Sequence, residues 1–213
     1  MSDKKSGKDQ QASASKDKDA TKNGKKDTKT KEVELSEEDK ELEEKFSLLV
    51  ERLQDSNIEI CKTSLDTIKT EVRTATTSMT SVPKPLKFLG SHYGTIKSYY
   101  EGLKDREFKK QLADLLSVLA ITSTDAQEFE SLNFILEGHP EEITKWGHEY
   151  IRSLSGEIGS EYNNRLEKNE KVDELIGLVK SIIPFLMSQN AEPEVIDLLF
   201  EVEQLGLILE YIN

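Results

Sequence analysis

The sequence predicts an all-α protein, an irregular stack of antiparallel helices of the α-solenoid or armadillo-like type. Apolar residues recur every three or four positions through most of the chain after residue 36, which is the spacing of one face of an α-helix. No segment shows the apolar–polar alternation of a half-buried strand. The intervals between successive helix starts vary, so no repeat of fixed length is evident, and a globular helical bundle is the alternative.

The composition excludes several classes of protein. A single Cys among 213 residues cannot build the disulfide framework of a small secreted domain. No apolar run reaches the roughly 18 residues of a membrane span, and the N-terminus lacks the apolar core of a secretory signal. The 41 acidic residues outnumber the 29 Lys and Arg to give a net charge of -12, which disfavours general binding to nucleic acid. We therefore expect a soluble intracellular protein without a membrane or nucleic-acid partner.

The charge separates the chain into two predicted segments. Residues 1–31 hold ten Lys and five Asp and lack Leu, Ile, Val, Phe, Tyr and Trp, whereas residues 32–213 carry a net charge of -17. Without apolar surface to offset the entropy of ordering a backbone, residues 1–31 are predicted to be a disordered Lys/Asp-rich tail. Its lysine cluster at Lys22, Lys25 and Lys26 fits a solvated tail, with a nuclear-import patch or an RNA contact as the alternative. Residues 32–213 are predicted to form the helical domain.

Capping and breaking residues divide that domain into some eight helices of about 10–25 residues. The residues expected to limit helices are Ser36, the turn Asp55–Asn57, Pro83, Pro85, Gly90 or Gly94, Asp105, Gly138, Pro140, Pro184 and Pro193. The side chains expected to face the core include Phe46, Leu53, Cys61, Leu65, Ile68, Leu89, Tyr93, Ile96, Phe108, Leu112, Leu116, Leu132, Ile151, Leu154, Val179, Ile182, Val195 and Leu199. Two details are specific: Pro140 is expected to open one long helix that runs through Trp146 to Tyr162, and Pro184 is expected to kink or cut its helix.

The last residues are unusually apolar. Six large side chains crowd the end of the sequence without a polar cap: Leu205, Leu207, Ile208, Leu209, Tyr211 and Ile212. An exposed end of this kind would need a neighbour to cover it. We therefore expect the sequence to be a fragment of a longer chain, and to be poorly soluble unless this edge is covered.

No catalytic, cofactor or metal site is predicted. The three His residues, His92, His139 and His148, have no metal-ligand spacing, and His148 beside Glu149 and Trp146 is better explained as a structural residue. No glycine-rich phosphate loop occurs, and the single Cys lacks a nucleophile context and is expected to be buried. Three acidic residues could act in acid–base chemistry only if a cleft removed them from water, namely Glu51, Asp55 and Glu59.

Tyrosines and lysines cluster in one segment. Tyr93, Tyr99 and Tyr100 alternate with Lys87, Lys97 and Lys104, and base stacking between lysines is one way to hold a single strand. The net acidity favours the other interpretation, in which the tyrosines belong to the core and the lysine stems cover it.

Six strings resemble one known family in order and register. They are LVERLQD from Leu49, SMTSVPKPLKFL from Ser78, HYGTIKSYYE from His92, LADLLSVLA from Leu112, WGHEYIRSLSGEI from Trp146 and NAEPEVIDLLFEVEQL from Asn190. Together they resemble the N-terminal region of the regulatory-particle non-ATPase subunit 1 family of the 26S proteasome, also called non-ATPase regulatory subunit 2. The pair Gly90-Ser91 departs from the Arg-Pro expected there, and the loops 121–129 and 168–173 diverge.

The resemblance implies a non-catalytic role and a larger protein. Members of this family are scaffold and receptor subunits of the regulatory-particle base and support ubiquitin-dependent degradation in the cytoplasm and nucleus. Their partners are the proteasome ATPase subunits, other regulatory-particle subunits, ubiquitin or ubiquitin-like shuttle receptors and a deubiquitinase. Their docking sites lie in a toroid of repeats that this sequence does not reach, so no site residue carries over. The alternative is a helical-repeat adaptor of trafficking or signalling.

Overall fold

Nine α-helices and two 3₁₀ helices make up the part of the chain that the structure, a computed structural model, describes: residues 36–76 and 82–211. No strand occurs within those ranges, which confirms the all-α prediction. The α-helices are α1 Glu37–Leu53, α2 Ile58–Thr76, α3 Lys84–Gly90, α4 Tyr93–Gly102, α5 Arg106–Thr122, α6 Glu130–Glu137, α7 His148–Glu167, α8 Asp173–Ser188 and α9 Glu192–Glu201. The 3₁₀ helices are Pro140–Trp146 and Leu205–Glu210. The predicted tail 1–31 and the core position Met79 lie outside the described residues.

The first hairpin follows the predicted capping and turn residues. Ser36 caps α1, because its hydroxyl accepts a hydrogen bond from the Asp39 N–H at 3.2 Å. Between α1 and α2 the Asp55 carboxylate accepts from the Asn57 N–H at 2.8 Å, which stabilises the turn locally. Each helix then buries one apolar stripe, and the buried apolar residues are Phe46, Leu49, Val50, Leu53, Cys61, Leu65, Ile68 and Val72.

Helix α5 is the centre of the stack. Asp105 caps it by accepting from the Phe108 N–H at 2.8 Å, and every residue from Leu112 to Ala120 is buried. A helix that is buried all round needs neighbours on every side. Helices α2, α3, α4, α6 and α7 supply them, while α7, α8 and α9 pack on one another. The stack therefore has an early half and a late half, joined through α5, α6 and the 3₁₀ helix Pro140–Trp146.

The predicted long helix from Pro140 to Tyr162 is wrong. The chain forms a 3₁₀ helix up to Trp146, turns at Gly147 and only then begins α7 at His148. Gly147 has φ 91° and ψ 172°, a conformation open to glycine and strained for other residues. This turn allows both Ile143 and Trp146 to be fully buried. Because these two buried residues continue the apolar spacing of α7, the spacing alone predicted one continuous helix.

Pro184 lies inside α8 without cutting it. The helix runs from Asp173 to Ser188 in one piece, so of the two expected effects, a kink or a cut, the cut does not occur. Proline has no N–H to donate to the carbonyl four residues earlier, which here is that of Lys180. The hydroxyl of Tyr211, the residue after the second 3₁₀ helix, lies 3.5 Å from that carbonyl oxygen and donates a hydrogen bond to it.

The break expected at Gly90 or Gly94 occurs at Gly90, and Gly94 lies within α4.

Candidate interaction surface

Four exposed large apolar side chains, including the two most exposed in the described ranges, lie on the last two elements. Ile196 and Phe200 on α9 are 50% and 70% exposed, and Leu205 and Leu209 on the following 3₁₀ helix are 45% and 75% exposed. Each pair is separated by four positions, and the two elements contact each other. We call these four residues the C-terminal apolar surface. An apolar group of this kind on adjacent elements is typical of a surface that another protein segment covers.

Helix α9 holds this surface by burying its opposite face. Val195, Leu198 and Leu199 are buried against α7 and α8. At Gly159 of α7 the two helices lie so close that an added Cβ would displace the Glu201 side chain. The exposed residues are therefore fixed outward by packing on the other side of the helix.

A left-handed residue joins the two elements. Glu203 has φ 53°, and the next N–H, that of Gln204, donates to the Leu199 carbonyl at 2.8 Å. This bond closes the end of α9 in the manner of a Schellman motif. The 3₁₀ helix then packs partly against the core through Leu207 and Ile208, and Tyr211 does the same. The predicted exposed end is confirmed for Leu205 and Leu209 and wrong for these three residues, while Ile212 lies outside the described residues.

The segment that carries the C-terminal apolar surface is rich in acidic residues. Residues 192–210 contain six acidic residues and no Lys or Arg. Glu194 contacts the His148 ring at 2.9 Å. Within the described ranges, no basic nitrogen lies within 4.0 Å of the carboxylates of Glu192, Asp197, Glu201, Glu203 or Glu210. The nearest basic side chain that the structure places beside this segment is Arg152 of α7, which lines one cavity with Glu194, Asp197 and Glu201.

A second polar group, around Asp114, is internal. Asp114 is fully buried, and its carboxylate accepts from the Lys69 ammonium at 3.0 Å and from the backbone and ring nitrogens of His139 at 2.7 and 2.9 Å. Gly138 makes room for it, because an added Cβ would overlap the carboxylate. The cluster ties α2 and α5 to the start of the Pro140–Trp146 3₁₀ helix, which is a structural role.

Cations from α2 also hold the 3₁₀ helix itself. The Arg73 guanidinium lies 4.6 Å from the Trp146 ring centroid, and its Nη2 is 3.0 Å from the Glu142 carboxylate. The Lys69 ammonium lies 5.9 Å from the same ring. Cations over the face of a buried Trp are attracted by the ring electrons, so the tryptophan anchors this segment to α2.

A third polar group surrounds Glu130 at the start of α6. Its carboxylate accepts from the Tyr93 hydroxyl at 2.6 Å, from the Gln127 N–H at 2.9 Å and from the Lys97 ammonium. Burial tends to raise the pKa of Glu130, but these hydrogen bonds outweigh burial and lower it. Burial first, and then the hydrogen bond to Glu130, raises the pKa of Tyr93. The ionised carboxylate and neutral phenol therefore form a stable pair.

Glu157 of α7 caps α6 from outside. Its carboxylate accepts from the Leu132 N–H at 2.9 Å, at a helix start where Phe129 provides no side-chain cap. Burial raises the pKa of Glu157, and the nearby negative charge of Glu130 raises it further. The hydrogen bond from the Leu132 N–H lowers the pKa, but the net shift is upward. The ionised form is thus disfavoured in the folded state.

We expect Glu157→Gln to raise the melting temperature at neutral pH by up to about 3 °C, since about 1 kcal/mol corresponds to about 2–4 °C for a domain of this size. A carboxyl whose folded pKa is raised is destabilising above that pKa, and this penalty disappears below the unfolded value of 4.5. Gln keeps an oxygen for Leu132 and has no charge. Calorimetry at neutral pH and below pH 4.5 checks this, with Glu170→Gln in an exposed loop as the control. An equal gain at both pH values would contradict the charge-based explanation.

The tyrosines of the tyrosine–lysine segment belong to the core, as the favoured interpretation predicted, while Lys87 and Lys104 are exposed. Tyr93 and Tyr100 are buried, and Tyr100 donates its hydroxyl hydrogen to the Glu137 carboxylate. Tyr99 is partly buried with its hydroxyl 3.9 Å from the Cys61 sulfur, and burial, followed by Cys61, raises its pKa to about 12. Two of the three rings therefore cannot stack on a base.

The predicted candidates for other chemistry are not brought together. His92 contacts Ser47 at 3.3 Å, while His139 and His148 contact Asp114 and Glu194 on different helices. In residues 36–76 and 82–211 no group of three His, Cys, Asp or Glu is arranged to hold a metal ion. The acidic residues Glu51, Asp55 and Glu59 are all exposed rather than desolvated in a cleft. Cys61 is buried, as predicted, and donates to the Asp55 carbonyl at 3.1 Å.

Sequence reasoning missed four residues that the structure makes important. Asp114 and Glu130 are buried carboxylates, and Ile196 and Phe200 are exposed apolar residues. The signal for Asp114 was a lone acid in the apolar run from Leu112 to Ala120. The signal for Ile196 and Phe200 was a set of apolar residues on α9 that covers more of the helix than one buried stripe requires.

None of the helices in the described ranges is both long enough and apolar enough to span a bilayer.

Comparison with known proteins decides the family. Residues 46–213, more than three quarters of the chain, match the family described as the RPN1 N-terminal domain. This chain belongs to that family. The resemblance seen in the six strings is thereby confirmed.

Relatives in the family carry proteasome names. The chain is 50% identical over 177 residues to 26S proteasome non-ATPase regulatory subunit 2 homolog A of Arabidopsis thaliana, covering 83% of this chain and 20% of that protein. It is 49% identical over 182 residues to 26S proteasome non-ATPase regulatory subunit 2 of Dictyostelium discoideum, covering 85% and 20%. It is 41% identical over 180 residues to 26S proteasome regulatory subunit rpn1 of Schizosaccharomyces pombe, covering 84% and 20%. The chain thus spans about a fifth of the length of these relatives.

Proposed function

We propose that this chain is the N-terminal helical domain of a non-catalytic scaffold and receptor subunit in the base of the 26S proteasome regulatory particle. The observation that carries the proposal is the family match over residues 46–213 together with identities of 41–50% to proteins named as proteasome regulatory subunits. In this role the protein regulates an enzyme and supports ubiquitin-dependent protein degradation without making or breaking covalent bonds itself.

The distribution of polar groups in the structure supports a scaffold. The buried carboxylates of Asp114 and Glu130 each satisfy three hydrogen-bond donors of the fold itself. Such satisfied groups join helices to one another. What the domain presents outward is helical surface, including the C-terminal apolar surface, and helical surface suits partner proteins.

The proposed partners follow from the family. We expect contact with proteasome ATPase subunits and other regulatory-particle subunits, in the cytoplasm and nucleus. Ubiquitin, ubiquitin-like shuttle receptors and a deubiquitinase would dock on the rest of the larger protein. The domain described here would brace that region and orient the subunit on the ATPase ring.

Affinity purification tests the proposal. We expect the endogenous protein, tagged at its N-terminus and isolated with ATP present, to bring down the proteasome ATPases and proteasomal peptidase activity. An unrelated helical-repeat protein with the same tag is the control. Recovery of vesicle-coat or signalling proteins without the ATPases would contradict the proposal. That result would favour a helical-repeat adaptor, for which an exposed apolar helical face is also suitable.

A further inference from the structure

We propose that Lys104, Arg106, Lys109 and Lys110 form a docking surface for an acidic segment of another protein, whose Asp and Glu side chains bind these four cations. We call the four residues the basic surface, and they lie just before α5 and in its first two turns. The inference rests on the proposed function in one respect, because it takes the domain to be part of a larger assembly. It adds the chemistry of one contact in that assembly.

Cations without acidic partners are concentrated here although the domain is acidic. Residues 32–213 carry a net charge of -17, yet four of the seven residues from 104 to 110 are Lys or Arg. Within the described ranges, no carboxylate oxygen lies within 4.0 Å of any of the four cations. Lys97 on the neighbouring helix α4, in contrast, is paired with Glu130. The basic surface therefore presents positive charge that the described residues do not pair.

The two acidic residues within this stretch contact other groups. Asp105 caps α5, since its carboxylate accepts from the Phe108 N–H at 2.8 Å. The Glu107 carboxylate lies 3.3 Å from the His139 ring and 3.4 Å from the Gln111 amide nitrogen. Both carboxylates are thus held by groups other than the four cations.

A tyrosine holds one of the cations in place. The Lys109 ammonium lies 4.5 Å from the Tyr100 ring centroid, and the Tyr100 hydroxyl donates to the Glu137 carboxylate. The ring attracts the ammonium without removing its charge. Glu101, near the end of α4, is exposed and has no basic nitrogen within 4.0 Å in the described residues. It lowers the net charge of the region without pairing with a cation of the basic surface.

The stability of α5 does not explain these cations. Positive side chains in the first turns of a helix are disfavoured by the helix dipole. Arg106 and Lys110 are four positions apart and share one side of the helix, and this side lies opposite the buried Phe108 and Leu112. The two cations therefore neither complement the dipole nor contribute to the buried side of α5.

The spacing of the cations fits a short acidic segment. Four positions on a helix correspond to a rise of about 6 Å, which separates Arg106 from Lys110 along α5. Carboxylates four positions apart on a partner helix have the same spacing, and those two positions apart in an extended segment are separated by about 6.6 Å. Arg and Lys bind such carboxylates, and the complementary charge fixes the orientation of the contact.

The charge of the domain argues against two other occupants. A nucleic acid is charged along its whole length, so beyond the basic surface it would meet a domain with a net charge of -17. In a symmetric dimer the basic surface would meet itself, with Arg106 and Lys110 of one copy facing the same residues of the other. A short acidic segment of a different polypeptide meets neither obstacle.

Zero-length cross-linking of the endogenous complex tests this inference. The complex is purified through the N-terminal tag with ATP present and treated with a carbodiimide, which joins Lys amines to carboxylates in direct contact. We expect Lys109 or Lys110 to be joined to Asp or Glu of another polypeptide in the complex. Lys168 and Lys171 are the controls, because they are also exposed and have no carboxylate within 4.0 Å in the described residues. These two should form no such link.

A charge variant distinguishes docking from a structural role. Arg106→Gln removes one cation but no cross-linking amine, and it should lower the yield of the Lys110 link by about two- to fivefold, the effect of one exposed ion pair. Arg52→Gln should leave that yield unchanged, because Arg52 is an exposed arginine of α1 that also lacks a carboxylate within 4.0 Å in the described ranges. Thermal unfolding followed by circular dichroism should show no loss of stability in Arg106→Gln. A lower melting temperature with unchanged cross-linking would assign the cations a structural role.

Four other results would overturn the inference. Links confined to carboxylates of this chain would mean that the cations serve the fold, and links between isotopically distinct copies would assign the surface to a second copy. Absence of links from Lys104, Lys109 and Lys110 would leave the surface without an acidic partner, and amines that become reactive only after nuclease treatment would assign it to nucleic acid. The proposed function fails on a different result, the absence of ATPases from the same purification, so the two failures are distinguishable.

Discussion

Replacement of Asp114 by Ala is expected to lower the free energy of unfolding by about 3–5 kcal/mol, the usual cost of leaving a buried charge without its partner. Asp114 is fully buried, and Ala removes the acceptor of three hydrogen bonds from Lys69 and His139. The Lys69 ammonium would keep a 3.5 Å contact with the Gln111 carbonyl oxygen and its place 5.9 Å from the Trp146 ring, but no carboxylate. Urea unfolding of the 213-residue chain, followed by far-ultraviolet circular dichroism, measures the change.

A double variant separates charge from volume. Combining Asp114→Ala with Lys69→Met removes the unpaired ammonium as well as the carboxylate, and an apolar replacement of a buried ion pair is often neutral or stabilising. We therefore expect the double variant to be more stable than Asp114→Ala alone. Equal instability of the two would mean that the cavity, and not the charge, causes the loss.

Gly147→Ala is expected to cost about 2–5 kcal/mol, the sum of a strained backbone conformation and an overpacked contact. The residue has φ 91°, and an added Cβ would lie 2.8 Å from the Thr76 carbonyl oxygen, which is backbone and cannot move aside cheaply. The turn places Trp146 against Arg73 of α2, so a shift there would also loosen that packing. The midpoint of urea unfolding reports the loss.

The same substitution at Gly177 is the control. Gly177 lies within α8, and an added Cβ there meets nothing within 4 Å. Because Ala has a higher helix propensity than Gly, Gly177→Ala should stabilise the protein by about 0.5–1 kcal/mol. A loss at Gly177 similar to that at Gly147 would show that the argument from space and backbone angle is wrong.

Helix positions were predictable wherever one apolar stripe met a strong stop. The starts of α1 and α5 follow from Ser36 and Asp105, whose side chains accept the hydrogen bonds that free helix ends require. The end of α3 follows from Gly90. These features are local, and short-range spacing and capping describe local features well.

The failures came from features that depend on distant residues. The helix from Pro140 to Tyr162 was predicted whole because apolar spacing continues across Gly147, but packing on Thr76 imposes the turn. Helices α3 and α6, of seven and eight residues, end at or just before the glycines Gly90 and Gly138 as predicted, but helices this short depend on the rest of the fold for their stability. The start of α6, for example, is capped by Glu157 of α7. No spacing rule shows which buried carboxylate meets which ammonium.

The candidate surface was predictable only in part. The apolar residues near the end of the sequence indicated an uncovered edge, yet Leu207 and Ile208 proved to pack on the core while Ile196 and Phe200 proved to be exposed. An amphipathic pattern identifies one face of a helix as apolar. It does not tell whether a second apolar face is buried within the same domain or left for another segment.

The ion pairs that α2 makes with later elements have a consequence for synthesis on the ribosome. The Lys69 and Asp114 pair spans 45 residues of sequence, and the Arg73 and Glu142 pair spans 69 residues. At translation rates of about 5–20 residues per second, α2 would wait roughly 3–14 s for its last ionic partner to be made. During that interval the apolar stripes of the early helices have no complete partner surface, and transiently exposed apolar surface of this kind is what makes incompletely folded chains prone to aggregate.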